Sequence, residues 1–97
     1  MPMAQMEVKV VEYGFSEENE SYYVTYRVKN LDLVSLKKLK ERLKDPVVVI
    51  CDELFLTVYF EERFYPFKSE EAQINPEDFL AREELEMTAY LLGLLED

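Results

Sequence analysis

The chain has no histidine, no tryptophan, one cysteine and only two glycines among its 97 residues. Each shortage excludes something. Without histidine the commonest general base is missing, and with it the Ser/His and Cys/His pairings and most zinc sites. A single cysteine, Cys51, permits neither an internal disulfide nor a CxxC ligand pair. It ends an apolar run and reads as a small buried hydrophobe rather than a nucleophile. Two glycines cannot build a GxGxxG or GxxxxGK[ST] phosphate loop. The opening MPMAQMEVKV has neither a basic n-region nor a long apolar stretch, so no signal peptide is expected. No apolar run approaches the ~20 residues of a membrane span. A cytoplasmic protein without membrane partners or cofactors is therefore expected.

Apolar residues make up 48% and charged residues 33% of the chain, which excludes disorder as its main state. Its length predicts one domain over residues 1–97, burying roughly 65% of its unfolded surface. Acids number 21 and bases 11, for a net charge of −10. Residues 1–51 hold eight of each and are neutral; residues 52–97 hold thirteen acids against Arg63, Lys68 and Arg82. A field of one sign repels phosphates and anionic lipid and attracts basic protein surfaces. Solubility alone explains such charge equally well. Glu outnumbers Asp by sixteen to five and amides are few, a usage that agrees with a thermophilic source.

Residues 6–13 read as a strand, with Met6, Val8 and Val10 on one side and Gly14 breaking it. Residues 22–29 alternate strictly, with Tyr22, Val24, Tyr26 and Val28 on the buried face. Asp32 suits an N-cap, and Leu36, Leu39 and Leu43 make a narrow helical stripe among Lys37, Lys38, Lys40, Arg42 and Lys44. This basic cluster reads as a solvated face. Pro46 ends the helix. The β-branched run VVVIC over 47–51 predicts a strand buried on both faces or placed centrally. Asp52 and Glu53 make a turn. Residues 54–60 return with Leu54, Leu56, Val58 and Phe60 on one face and Phe55, Thr57 and Tyr59 on the other. Residues 61–75 form a long connection, of the kind that is functional or hides a short element. Asn75-Pro76-Glu77-Asp78 is a strong helix start, and the helix should run to about residue 95.

The order β-β-α-β-β-α predicts an α+β fold: a two-layer sandwich with an antiparallel sheet of about four strands, ferredoxin-like in appearance. In the last helix, Leu85, Ala89 and Leu92 cluster on one side, with Met87, Tyr90, Leu91 and Leu94 well away from them. One sheet cannot cover so wide an apolar surface. An isologous homodimer is therefore expected, built from Phe55, Tyr59, Met87, Tyr90, Leu91 and Leu94.

The acidic half offers Glu61, Glu62, Glu70, Glu71, Glu77, Asp78, Glu83 and Glu84 as contacts for a basic partner protein. Neighbouring carboxylates could alternatively hold a metal for hydrolysis. Adjacent residues, however, diverge on a strand or a helix, and sixteen glutamates produce doublets readily. A structural or regulatory dimer, binding DNA through the Lys37–Lys44 helix, is the third reading. No catalytic or metal-ligating residue is expected under the first. Phe64, Tyr65 and Phe67 either anchor a protein partner or cover the sheet.

The EVKVVEYGFSEENESYYVTYRV hairpin, the basic SLKKLKERLKDP helix, the VVVICDELFLTVYF hairpin and the acidic helix from NPEDFLAREELE onward together resemble the small acidic anti-CRISPR proteins of archaeal rod-shaped viruses that inhibit type I-D interference. The resemblance implies an α+β homodimer in the host cytoplasm. That dimer would bind the large nuclease subunit of the type I-D complex and block interference without catalysis, contacting no nucleic acid itself. It carries over no individual binding residue.

Overall fold

The computed structural model describes residues 5–96. Residues 1–4, within the segment read as lacking a leader's features, and Asp97 lie outside the described residues. Strands β1 (Glu7–Ser16) and β2 (Ser21–Lys29) lead to helix α1 (Leu33–Arg42). Strands β3 (Val47–Ile50) and β4 (Glu53–Phe60) follow, then two short 3₁₀ turns, a five-residue helix α2 (Glu70–Ile74) and the long helix α3 (Pro76–Leu95). The sheet is antiparallel throughout, in the order β1-β2-β4-β3. This is the expected α+β architecture with four antiparallel strands.

The alternation in β2 and β4 sets the layers. Tyr22, Val24, Tyr26 and Val28 lie opposite Phe60, Val58, Leu56 and Leu54 in register. This face carries the core, in which Val24, Val28, Leu54 and Leu56 pack with Leu36 and Leu39 of α1, Leu43 at its C-cap and Leu91 of α3. The leucine stripe of α1 is thus its buried face. Asp32 caps that helix by accepting from Ser35 N at 2.7 Å. That bond holds the Asp32 carboxyl below its ordinary pKa. Arg42 at the other end donates to the carbonyls of Leu94 and Glu96. A cation thereby meets the unsatisfied carbonyls that end α3.

Three local expectations are corrected and a fourth is met. Gly14 does not break β1, which runs on to Ser16. The real irregularity is a bulge between Val10 and Glu12. One extra residue, Val11, shifts the side-chain phase. Val8 and Val10 face the helices before it, and Tyr13 and Phe15 take that face after it, Tyr13 stacking on Phe67 at 4.2 Å. The run 47–51 is neither central nor doubly buried: β3 is an edge strand with Val48 57% and Ile50 55% exposed. Its β-branched composition suits any pleated surface and does not report burial on both faces. Cys51 is exposed, because it turns the β3–β4 hairpin instead of ending a strand. It and Asp52 have φ of 51° and 64°. Both central residues are left-handed, which is the type I′ geometry that a two-residue hairpin demands. Finally, the connection 61–75 hides three short elements. Its Tyr65 is buried against Tyr22, Phe60 and Phe67.

Candidate functional site

The eight carboxylates expected to face a partner do not form one surface. Four are engaged within the chain. Glu61 pairs with Arg63 at 3.3 Å, and Glu62 with Lys68. The Lys68 ammonium also lies 4.6 Å over the Tyr22 ring. The hydrogen bond it donates to Glu62, and then that with Tyr22, hold its pKa above the usual lysine value. Glu71 receives Arg82, whose guanidinium lowers the Glu71 pKa and also covers Phe79. These pairs are largely exposed, so each contributes little to stability.

Glu84 differs from the rest. Its side chain is only 17% exposed, and it accepts the Val10 N–H at 2.8 Å, with the Lys9 ammonium 3.9 Å away. Beside the bulge, Val10 turns its N–H outward from the β1 edge. A carboxylate from α3 therefore satisfies a backbone donor that the sheet leaves open. Glu84 is a latch between helix and strand. Glu83, one residue earlier, is half-buried, and burial together with the like charge of Glu86 raises its pKa against the pull of Arg82.

Glu70, Glu77 and Asp78 remain. All three are exposed, and among the described residues none takes part in an ion pair. Ser69 caps α2 through Ala72 N at 3.2 Å, which sets Glu70 in its first turn. Pro76 opens α3, which sets Glu77 and Asp78 in the first turn of that helix. There the dipole holds two adjacent anions at modest cost. A shallow open depression at this junction is lined by Ile74, Asn75, Pro76, Glu77 and Asp78. Ile74 is 65% exposed. An apolar side chain among carboxylates accommodates the stem and head of a lysine or arginine. Among the described residues no group of three or more acids or cysteines converges as metal ligands would.

The residues expected in a dimer interface also separate. Leu91 is fully buried in the chain's own core, and Met87 and Leu94 pack against that core. The apolar side of α3 that faces solvent is the other one, with Leu85 69% and Leu92 50% exposed. Tyr90 is exposed as well, away from those two on the helix. Phe55 and Tyr59 lie on the far face of the sheet, where no helix of the described residues packs. That face is more polar than its aromatics suggest. Tyr23 donates to Glu12, Asn19 to the Tyr59 hydroxyl at 3.2 Å, and Thr25 and Thr57 share a bond of 3.0 Å. Arg27 and Lys29 flank Glu53.

Sequence reasoning missed the latch and Lys9 within it. Its only trace is the broken alternation at Val10–Val11. A model of one family matches residues 7–97, so nearly every residue described above falls within it. The chain belongs to the family DUF5750. DUF5750 is a family of unknown function. No curated protein matches the chain. No helix among the described residues of this DUF5750 chain is long and apolar enough to cross a membrane.

Proposed function

We propose that this DUF5750 protein is a non-catalytic binding protein that occupies a basic surface of a nucleic-acid-handling protein. The observation that carries the reading is the carboxylate pair Glu77 and Asp78 beside Ile74 at the α2–α3 junction, with Glu70 in the first turn of α2, none of them in an ion pair among the described residues. Internal cations engage Glu61, Glu62 and Glu71 nearby, and Glu70, Glu77 and Asp78 stay among the acids whose charge is available to a partner. A helix start ordinarily attracts anions. Here two acids of the chain itself occupy that position, and the site favours a lysine or arginine instead. The net charge of −10 steers such a partner in. The resemblance to acidic anti-CRISPR proteins supplies the finer form: the partner is the large nuclease subunit of a type I-D complex, bound in the host cytoplasm.

The test is binding at low and high salt with the wild type and with a Glu70→Lys, Glu77→Lys, Asp78→Lys triple variant. Partners are captured from lysate and, separately, the purified type I-D large subunit is titrated. The reading expects affinity to fall steeply with salt and the triple variant to lose binding. A partner held equally well at high salt, or by the triple variant, overturns the acidic reading. Failure of the type I-D subunit alone to bind overturns only the finer form.

A further inference from the structure

The two edges of the sheet are treated differently. The β1 edge is guarded three ways: the bulge at Val11 bends it, Glu84 occupies the Val10 N–H, and α3 packs along it. Among the described residues the β3 edge has none of these devices. Val47–Ile50 holds no charge, no proline and no bulge, and its outward Val48 and Ile50 are more than half exposed. Natural sheets blunt such an edge or use it.

The ladder phase defines what this edge offers. Thr57 N–H donates to the Pro46 carbonyl at 3.1 Å. In an antiparallel pair the bonded positions recur every second residue, so 46, 48 and 50 turn their backbone groups toward β4. Val47 and Val49 then turn their N–H and C=O outward. We propose that this edge pairs with the β3 edge of a second copy, joining two four-stranded sheets into one of eight strands across a two-fold axis at Val49.

The strand's own pattern points to a copy of itself as occupant. A two-fold axis normal to the sheet requires a register in which each residue meets one of the same parity. Centred on Val49, the register exchanges both Val49 bonds, sets Val48 against Ile50 on the open face, and brings Val47 level with the start of the partner's turn at Cys51. Every opposed position along the strand is then apolar against apolar, in both directions at once. Electrostatics agrees. The acidic helix α3 packs on β1, the opposite edge in the order β1-β2-β4-β3. Pairing through β3 keeps the two acidic α3 helices apart. This interface differs from one built on α3, whose Leu91 the core already holds.

The mass in solution is measured by analytical ultracentrifugation over a dilution series, for the wild type, for Val49→Pro and for Val48→Lys combined with Ile50→Lys. Wild type should be dimeric at the top of the series and both variants monomeric. Val49→Pro removes only an N–H that β4 does not use. The lysine pair sets like charges opposite each other while leaving the core untouched. Should either variant unfold, amide exchange on the wild type decides. The Val47 and Val49 amides should gain protection with concentration, and those of Val48 and Ile50 should be protected throughout. Spin labels on Cys51 should report a pair whose backbone positions lie about 14 Å apart, four residues along an antiparallel strand plus one strand spacing. A wild type that stays monomeric, a folded lysine variant that stays dimeric, or Val49 exchange independent of concentration overturns the proposal.

Discussion

Removing the Glu84 carboxylate should destabilise the protein far more than removing any other acid on its helix. The 2.8 Å bond from Val10 N–H has an ionised acceptor that is mostly shielded from water. Such bonds contribute about 1.5–3 kcal/mol. In Glu84→Ala, water can reach the freed N–H at the strand edge, so the lower end applies. The Lys9 pair, whose lysine is half exposed, adds up to about 0.5 kcal/mol. The sum of about 2 kcal/mol lowers the Tm of a domain this size by roughly 10 °C. Glu84→Gln keeps an acceptor and should lose about half of that. Glu77→Ala, on the exposed first turn of α3, should stay within about 0.5 kcal/mol of wild type. Thermal and urea unfolding of the three variants measure this, with Val10 amide exchange as the local readout. A Glu84→Ala protein that melts within about 2 °C of wild type, or a Glu77→Ala protein equally weakened, would refute the latch.

Three further outcomes follow from burial, charge and backbone geometry. Leu91→Ala empties a fully buried position and should cost about 2–5 kcal/mol, whereas Leu85→Ala on the opposite side of α3 should be nearly neutral; urea midpoints separate the two. The Glu83 carboxyl titrates above its ordinary 4.5, so its charged form opposes folding once the pH exceeds that raised value. Glu83→Gln should therefore raise the Tm at neutral pH, and the gain should fade as the pH falls to 4.5 and below; a gain independent of pH contradicts the assignment. Asp52→Gly relieves one of two left-handed non-glycine residues in the hairpin turn and should stabilise by about 1 kcal/mol, read from the same midpoints.

The elements were legible wherever one face of each is wet. Strict alternation in 22–29 and 54–60 named the inward residues correctly, because a half-buried strand must separate polar from apolar every second position. The Asp32 cap and the Asn75-Pro76 helix start follow from backbone donors that any helix leaves open. Placement was less legible. VVVI reads as central by composition, yet its position depends on which strand pairs with β2, a contact that skips α1 and β3 altogether. Cys51 reads as buried because the apolar run continues through it, whereas the hairpin turn begins there and not at Asp52. Both sides of α3 are apolar, and only the packing of α1 and the sheet decides that Leu91 goes in and Leu85 stays out. For the candidate site, charge located the acidic half but not its use. Glu84 and Glu77 are alike in sequence, and a strand edge distant in the chain makes one structural and leaves the other free.

The Glu84–Val10 bond spans 74 positions of the chain. On the ribosome, β1 and its hairpin partner emerge long before α3 is synthesised. Until that helix docks, the nascent chain has two open sheet edges and lacks Phe79 and Leu91 from its interior. Both hairpins can form locally as they appear, since their strands are neighbours in the chain. Protection of the first strand waits for the last helix. The interval between them is when this chain is most open to pairing wrongly with another, and fast closure of α3 shortens it.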